Sequence, residues 1–372
     1  MRYLTAGDSH GPGLVTIVDG VPAGIPLSAA DIEEQLKRRR RGVGRSPRMQ
    51  AEDEKVSIWG GLYQGRTTGA PLGILIPNRA APRVEEGAYQ VPRPGHADLA
   101  GFCKYALPDL MPVQERASAR ETAARCAAGT VARRLLEEVG VQVFSLVTAI
   151  GEVVAAEGDA LPDCDPAELA EKWSQWYAEA ERSPVRCPWP EVGAAMEKAV
   201  REAAGKGETL GGLFWVVALG VPVGLGSCMQ GDRRLDGRLA GAVASIPGIK
   251  GVEVGLGFGA ARRRGSMAHD HILAGFHRPS DRAGGLEGGM TNGQPLLIRA
   301  AMKPIPTLLQ GLPSLHLQTG EVTRAPAQRA DICAVPAAGV VGEAVVAWEL
   351  ACALVERFGG DRVTDIKAGL GR

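Results

Sequence analysis

Two histidines sit where an imidazole can meet a ligand. His10 lies in Gly7-Asp8-Ser9-His10-Gly11-Pro12-Gly13, and His96 lies in Arg93-Pro94-Gly95-His96-Ala97-Asp98. Both segments are polar, glycine-flanked loops. An imidazole titrates near neutral pH, so each is a candidate general acid. The same segments also suit surface histidines that make one hydrogen bond apiece. Their separation does not match a zinc site, and no metal is expected.

Anion-binding chemistry is written in the basic residues. Arg38 to Arg41 form a run, with Arg45 and Arg48 just beyond Gly42 and Gly44. Neighbouring helical residues fan over more than one face, and the glycine-rich turn can fold the later arginines back. Converging guanidiniums bind phosphate or carboxylate in bidentate fashion. A solvated basic face fits the same pattern. Arg116-Ala117-Ser118-Ala119-Arg120-Glu121-Thr122 combines a helix start, a hydroxyl and two arginines, again a ready anion site or an ordinary capped surface turn.

Two later segments can approach a flat or phosphorylated ligand closely. Gly284 to Pro295 is rich in glycine and precedes a predicted strand; it reads equally as a surface loop. Lys303-Pro304-Ile305-Pro306-Thr307 is held extended by its prolines, which fixes a cation and a hydroxyl in place. Gly255 to Ala260 has GxGxGA spacing, not GxGxxG, and no acidic residue follows in a βαβ unit, so a dinucleotide fingerprint is rejected.

The elements that must position these residues follow from periodicity. Strands are predicted at Leu14–Val18, Val56–Trp59, Leu72–Ile76, Leu213–Leu219, Val252–Phe258 and Leu296–Met302. Ser28 to Asp31 resembles a capping box, opening a helix with Ile32 and Leu36 on one face. One long helix is predicted from Glu115 to Glu138, a helix spans Leu235 to Ile246, and Gly339–Phe358 reads as an apolar core helix too short to cross a membrane. Asn78 to Gly95 reads as a loop. Residues 152–207 form an acidic, Trp-containing zone that reads as a helical insertion or cap, with a helix start at Asp165-Pro166. The alternation lacks a regular βαβ rhythm, which favours an α+β layered architecture.

Composition limits the partners. The 372 residues carry 42 basic and 42 acidic side chains, so no global field is offered to nucleic acid or membrane. Aromatics are 5%, against an interleaved nucleic-acid surface, while 50 glycines supply tight turns. The seven cysteines form no CxxC pair, and the N-terminus has no apolar signal core, so a cytoplasmic protein with reduced thiols is expected.

Taken in order, these motifs resemble the chorismate synthase family from end to end. The resemblance rests on Met1 to Pro12, Arg38-Arg39-Arg40, Gly44 to Met49, Arg93 to Asp98, Arg116 to Thr122, Gly285 to Pro295, Lys303 to Thr307 and Pro336 to Gly339. It implies a β-α-β sandwich as a single large catalytic domain over 1–372, assembled as a homotetramer. It implies anti 1,4-elimination of phosphate from 5-enolpyruvylshikimate 3-phosphate, yielding chorismate at the end of the shikimate pathway. Reduced FMN is required although the net reaction is redox-neutral, and some members draw the electrons from NADPH.

By the same resemblance His10 assists the leaving phosphate, His96 protonates reduced FMN, and Asp331 helps remove the proton. Ser9, Arg39, Arg45, Arg48 and Arg120 are expected around substrate. Arg116, Ala117, Ser118, Pro247, Gly248, Gly288, Lys303, Pro304, Ile305, Pro306, Thr307 and Arg329 resemble flavin-binding positions. Pro247-Gly248 stands where some members have Asn-Ala, and Ala330 where a serine often follows the arginine. The segment from Asn78 to Gln90 is short for the family. The rival chemistry is an FMN-dependent oxidoreductase acting on another anionic substrate.

Overall fold

The structure is a computed structural model of the chain that describes residues 1–46, 55–78, 89–156, 166–326 and 330–371. The first sheet is built on alternation. β1 (Arg2–Gly7) pairs antiparallel with β2 (Gly13–Asp19). The chain then enters α1 (Ala29–Arg40), where Ser28 and Asp31 form a reciprocal capping box. Ile32 and Leu36, four residues apart, are buried, and the basic last turn complements the helix dipole. β3 (Ser57–Trp59) and β4 (Leu72–Pro77) complete a four-stranded sheet ordered β1-β2-β4-β3. Leu14, Val18, Leu72, Ile74 and Ile76 face inward, while Leu4, Ile17 and Trp59 remain exposed on the outer face.

Next come α2 (Asp98–Tyr105) and α3 (Met111–Arg116), and here the structure corrects the sequence reading. The single helix predicted from Glu115 to Glu138 is broken. Ser118 adopts extended backbone (ψ 143°), its hydroxyl accepts the Arg120 N–H at 3.3 Å, and after one 3-10 turn α4 (Thr122–Glu138) begins. A serine that caps the following turn competes with the helix that would run through it.

The second sheet has five antiparallel strands. β5 (Gln142–Ile150) and β6 (Val153–Val154) are followed by α5 (Pro166–Arg182) and α6 (Pro190–Gly205), then β7 (Gly212–Leu219). α7 (Leu235–Ala244), β8 (Ile249–Val254) and β9 (Leu296–Met302) follow, giving the order β8-β9-β7-β5-β6. β8 stops at Val254, short of the predicted Phe258, because Gly255 turns at φ +55° against residues 282–284. The central strands are buried on both faces. Phe214, Val216 and Ala218 join the main core, while Trp215 and Val217 pack with Leu169 and Trp173 of α5.

α8 (Val335–Phe358) lies between the sheets. It packs on β5 and β7 and crosses α4, which in turn lies on β2 and β4. Gly129 permits that crossing, since a Cβ there would stand 2.4 Å from the Cβ of Ala344. Two sheets around a helical layer make this an α+β, β-α-β sandwich. α8 is longer than predicted: with 24 residues it is long and apolar enough to cross a membrane, but 83% of its most apolar window is buried in protein. Burial, not length, makes it a core helix.

One charge interrupts that apolar helix. Glu343, 2% exposed, takes Arg38 at 2.6 Å, Arg133 at 3.0 Å, Arg186 at 3.0 Å and the Ser145 hydroxyl at 2.7 Å. Burial alone would raise its pKa, yet Arg38, Arg186 and Arg133 hold it at about 2. Arg38 is therefore spent inside the protein and does not join an anion site. Glu181 and Arg186 tie the 152–207 zone into the same cluster.

Removing one member of such a cluster strands the others. Glu343→Gln is expected to lower stability by about 3–5 kcal/mol, read as a shifted urea midpoint; an unshifted midpoint would contradict the role. Because the folded pKa is depressed from 4.5 to about 2, the wild-type contribution is complete above pH 4.5 and lost as pH falls from 4.5 toward 2. That loss is on the order of 3 kcal/mol and should be absent from the variant's pH–stability curve.

Candidate active site

Each loop histidine is gripped by a carboxylate. His10 Nδ1 lies 2.6 Å from Glu115 Oε1, and its backbone N–H donates to Glu115 Oε2, also at 2.6 Å. His96 Nδ1 is hydrogen-bonded to Asp98 Oδ1. The two pairs meet on α3: Gln114 Nε2 donates to Asp98 Oδ2 at 2.9 Å, and Glu115 is the next residue. A six-residue helix thus indexes one imidazole against the other. Asp98 is fully buried. Burial favours its neutral form, but hydrogen bonds from His96 and Arg93 prevail and hold its carboxyl well below the usual range.

Ser9 belongs to the His10 side, where the Ser118 hydroxyl donates to Ser9 Oγ at 3.1 Å. Asn78 holds that loop together. Its amide nitrogen donates to the carbonyls of Asp8, Ser9 and Gly11, and its oxygen accepts from Arg120 Nε at 2.8 Å. Arg39 reaches the Thr122 hydroxyl at 3.4 Å, at the start of α4. Arg116, beside Ala117, donates to the carbonyls of Thr5 and Gly7. Those bonds go to neutral oxygens, not to a carboxylate.

The His96 side is built from the extended 303–307 segment. Lys303 donates to the Gly95 carbonyl, and a Cβ on Gly95, at φ +78°, would stand 3.3 Å from the Pro306 Cβ. Pro304 is exposed, the Ile305 carbonyl accepts from Thr209, and Thr307 is buried. Gly248, which follows Pro247, accepts the Lys303 N–H, so that turn and β9 adjoin. Ser245, just before it, is tied to Arg125 of α4 at 2.7 Å, which leads back to the His10 side.

The remaining predicted residues make contacts of their own. Asp331 pairs with Arg45 at 2.6 Å and accepts the Ser46 N–H at 2.7 Å. Gly288, at φ +59°, sits in a small hairpin with Cys228 4.0 Å from where its Cβ would be. Beneath that hairpin Asp281 accepts the Gly285 N–H, and burial pushes its carboxyl well above the usual range. Arg48 and Arg329 lie outside the described residues.

The comparisons with known proteins agree with one another. A model of the family described as chorismate synthase matches residues 1–355. The chain belongs to the chorismate synthase family. The chorismate synthase of Desulforudis audaxviator is 50% identical, with 98% of this chain and 95% of that protein covered. That of Moorella thermoacetica is also 50% identical, over 100% of this chain and 97% of the relative. A solved crystal structure of chorismate synthase superposes with a TM-score of 0.82 at 42% identity, covering 100% of this chain and 96% of the other. Membership makes this protein a lyase of chorismate and aromatic amino-acid biosynthesis, in a family that uses reduced flavin.

Sequence reasoning missed Glu115, Asp98, Gln114 and Asn78 as site residues. The signal was there for one of them, since Asp98 follows His96 by two positions. Nothing in the spacing links Asn78 to residues 8–11. Losing it leaves several partners unsatisfied, each costing about 1–3 kcal/mol. Asn78→Ala is therefore expected to cut kcat/KM at least ~10-fold while the fold persists by circular dichroism. Wild-type kinetics in a folded variant would remove Asn78 from the site.

Proposed function

We propose that this chain eliminates phosphate from 5-enolpyruvylshikimate 3-phosphate in an anti 1,4 sense, forming chorismate with reduced FMN bound beside the substrate. The observation that carries the reading is the pair of carboxylate-backed imidazoles joined through Gln114 and Glu115, in a chain of this family. The substrate bears a phosphate and two carboxylates, and Arg39, Arg45, Arg48 and Arg120 with Ser9 are the groups proposed to bind them. With Nδ1 oriented by Glu115, His10 is the group proposed to donate a proton from Nε2 to the departing phosphate oxygen.

The residues present fit a flavin phosphate. Lys303 has a lowered pKa, first from burial and then from the neighbouring Lys250, and a bound anion would offset the repulsion between the two cations. Lys303 to Thr307, Arg116 to Ser118, Pro247, Gly248, Gly288 and Arg329 would hold the cofactor. When bound, it supplies an electron-rich ring that assists phosphate departure without net redox change. His96 holds or delivers a proton at the flavin edge. Asp331, oriented by Arg45 and the Ser46 N–H, receives the proton lost from C6. Tight closure of these loops would exclude water and oxygen.

The reading includes a homotetramer in the cytoplasm. The exposed Leu4, Ile17 and Trp59 on the outer face of the first sheet offer apolar surface for such assembly.

An anaerobic assay with photoreduced FMN tests the chemistry. Phosphate and chorismate should appear together in equal amounts while the flavin stays reduced over many turnovers. Net flavin oxidation in step with product would instead indicate an oxidoreductase. His10→Ala and His96→Ala should each slow turnover at least ~10-fold, and undiminished rates would refute their assignments. Arg48→Ala should chiefly raise KM for the substrate.

A further inference from the structure

We propose that Asp98 is a positioning residue for His96, fixing the imidazole as the tautomer with its proton on Nδ1 and leaving Nε2 to exchange protons with the ligand. The inference rests on the reading that His96 serves the flavin site, and it goes beyond that reading by naming the atom and its keeper.

The geometry of Asp98 over-determines its carboxylate. Oδ1 accepts from His96 Nδ1 and from Arg93 Nη2 at 3.1 Å. Oδ2 accepts from Arg93 Nε at 2.9 Å, the Arg93 backbone N–H at 3.0 Å and Gln114 Nε2 at 2.9 Å. An ionised carboxylate offers about four acceptor sites, so this one has no spare lone pair and no freedom to turn. It is also shut off from water, with no exposed surface. Such a group accepts and never donates.

The consequence for the ring is a proton placement. Because Asp98 cannot donate, Nδ1 must carry the hydrogen in their shared bond, and the lone pair of the neutral ring falls on Nε2. Arg93 adds a second restraint, with Nη2 3.2 Å from Nδ1 and 3.4 Å from Nε2; a guanidinium only donates, so with Nδ1 already protonated its contact favours the lone pair on Nε2. The loop is closed from behind by Lys303 on the Gly95 carbonyl. An acid–base group needs one orientation to work at one ligand atom, and a partner that fixes both ring plane and tautomer supplies it.

Asp98→Asn makes the inference testable. Three donors converge on the Oδ2 position, so they hold the amide oxygen there and turn the NH₂ toward His96. That NH₂ donates to Nδ1, and the neutral ring must then carry its hydrogen on Nε2. Neutron diffraction from wild-type crystals at neutral pH should show hydrogen on Nδ1 of His96 and none on Asp98. The variant should show hydrogen on Nε2, with kcat in the anaerobic assay reduced at least ~10-fold and KM for the phosphorylated substrate within about 2-fold. A protonated Asp98 or a bare Nδ1 in the wild type overturns the proposal, and this measurement stands even where the variant does not fold. An unchanged tautomer in a folded variant also overturns it. A switched tautomer with wild-type kcat overturns it as well, because proton exchange at Nε2 would then not be needed for turnover.

Discussion

Glu343 is a negative charge in the middle of an apolar helix, and the interior is arranged around it. Its partners come from α1, α4, β5 and the turn after α5, so one carboxylate fixes four parts of the chain against α8. A buried ion cluster of this kind adds little net stability over well-packed apolar groups, but breaking it is costly. Its effect is therefore on register. Arg38 can meet Glu343 in only one rotation of α1. Successive helical residues are about 100° apart, so that rotation aims Arg39 at Thr122, where α4 begins. The interior charge thus decides where a proposed substrate arginine points.

The same logic recurs at the surface of the core. α3 is too short to be stable alone, yet its Gln114 and Glu115 connect the loops of His10 and His96. Ser118 breaks the chain just after it, which lets α3 lie at its own angle before α4 starts. A continuous helix would have carried Glu115 on the axis of α4. The break that sequence periodicity overlooked is what gives the two imidazoles a common anchor.

Much of the frame was legible in the sequence. Leu296–Met302 was read to the residue, the Ser28–Asp31 cap followed from local pattern, and the strand predicted at Leu14–Val18 lies within β2. β1 and β5 were not picked out. β1 is an edge strand of mixed polarity, and β5 is buried on nearly every position, so neither shows the alternation that marks a half-buried strand. The histidines were legible as loop residues, but their carboxylates were not. Glu115 stands one residue before Arg116, in a segment that also reads as ordinary surface charge, and Asp98 went unassigned although it follows His96 by two positions. Arg38 looked like part of an anion site for the converse reason, because its true partner is 305 positions away. Long-range pairing of opposite charges leaves no local trace.

Those carboxylates raise a physical difficulty that the arrangement answers. A substrate with a phosphate and two carboxylates is repelled by any bare acid nearby: at about 6 Å and an effective dielectric near 20, each pair of unit charges costs about 3 kcal/mol. Several such acids would defeat binding in a chain with no net positive charge. The protein places each one behind a cation or a ring. Asp98 is clasped by Arg93, Asp331 by Arg45 and Glu121 by Arg125, while Glu115 stands behind the imidazole of His10. The negative groups then orient their partners without dominating the field at the ligand. A neutral composition and the proposed anion site are compatible because these acids are paired locally, three with arginines and one with an imidazole, and the overall charge does not decide the field at any one place.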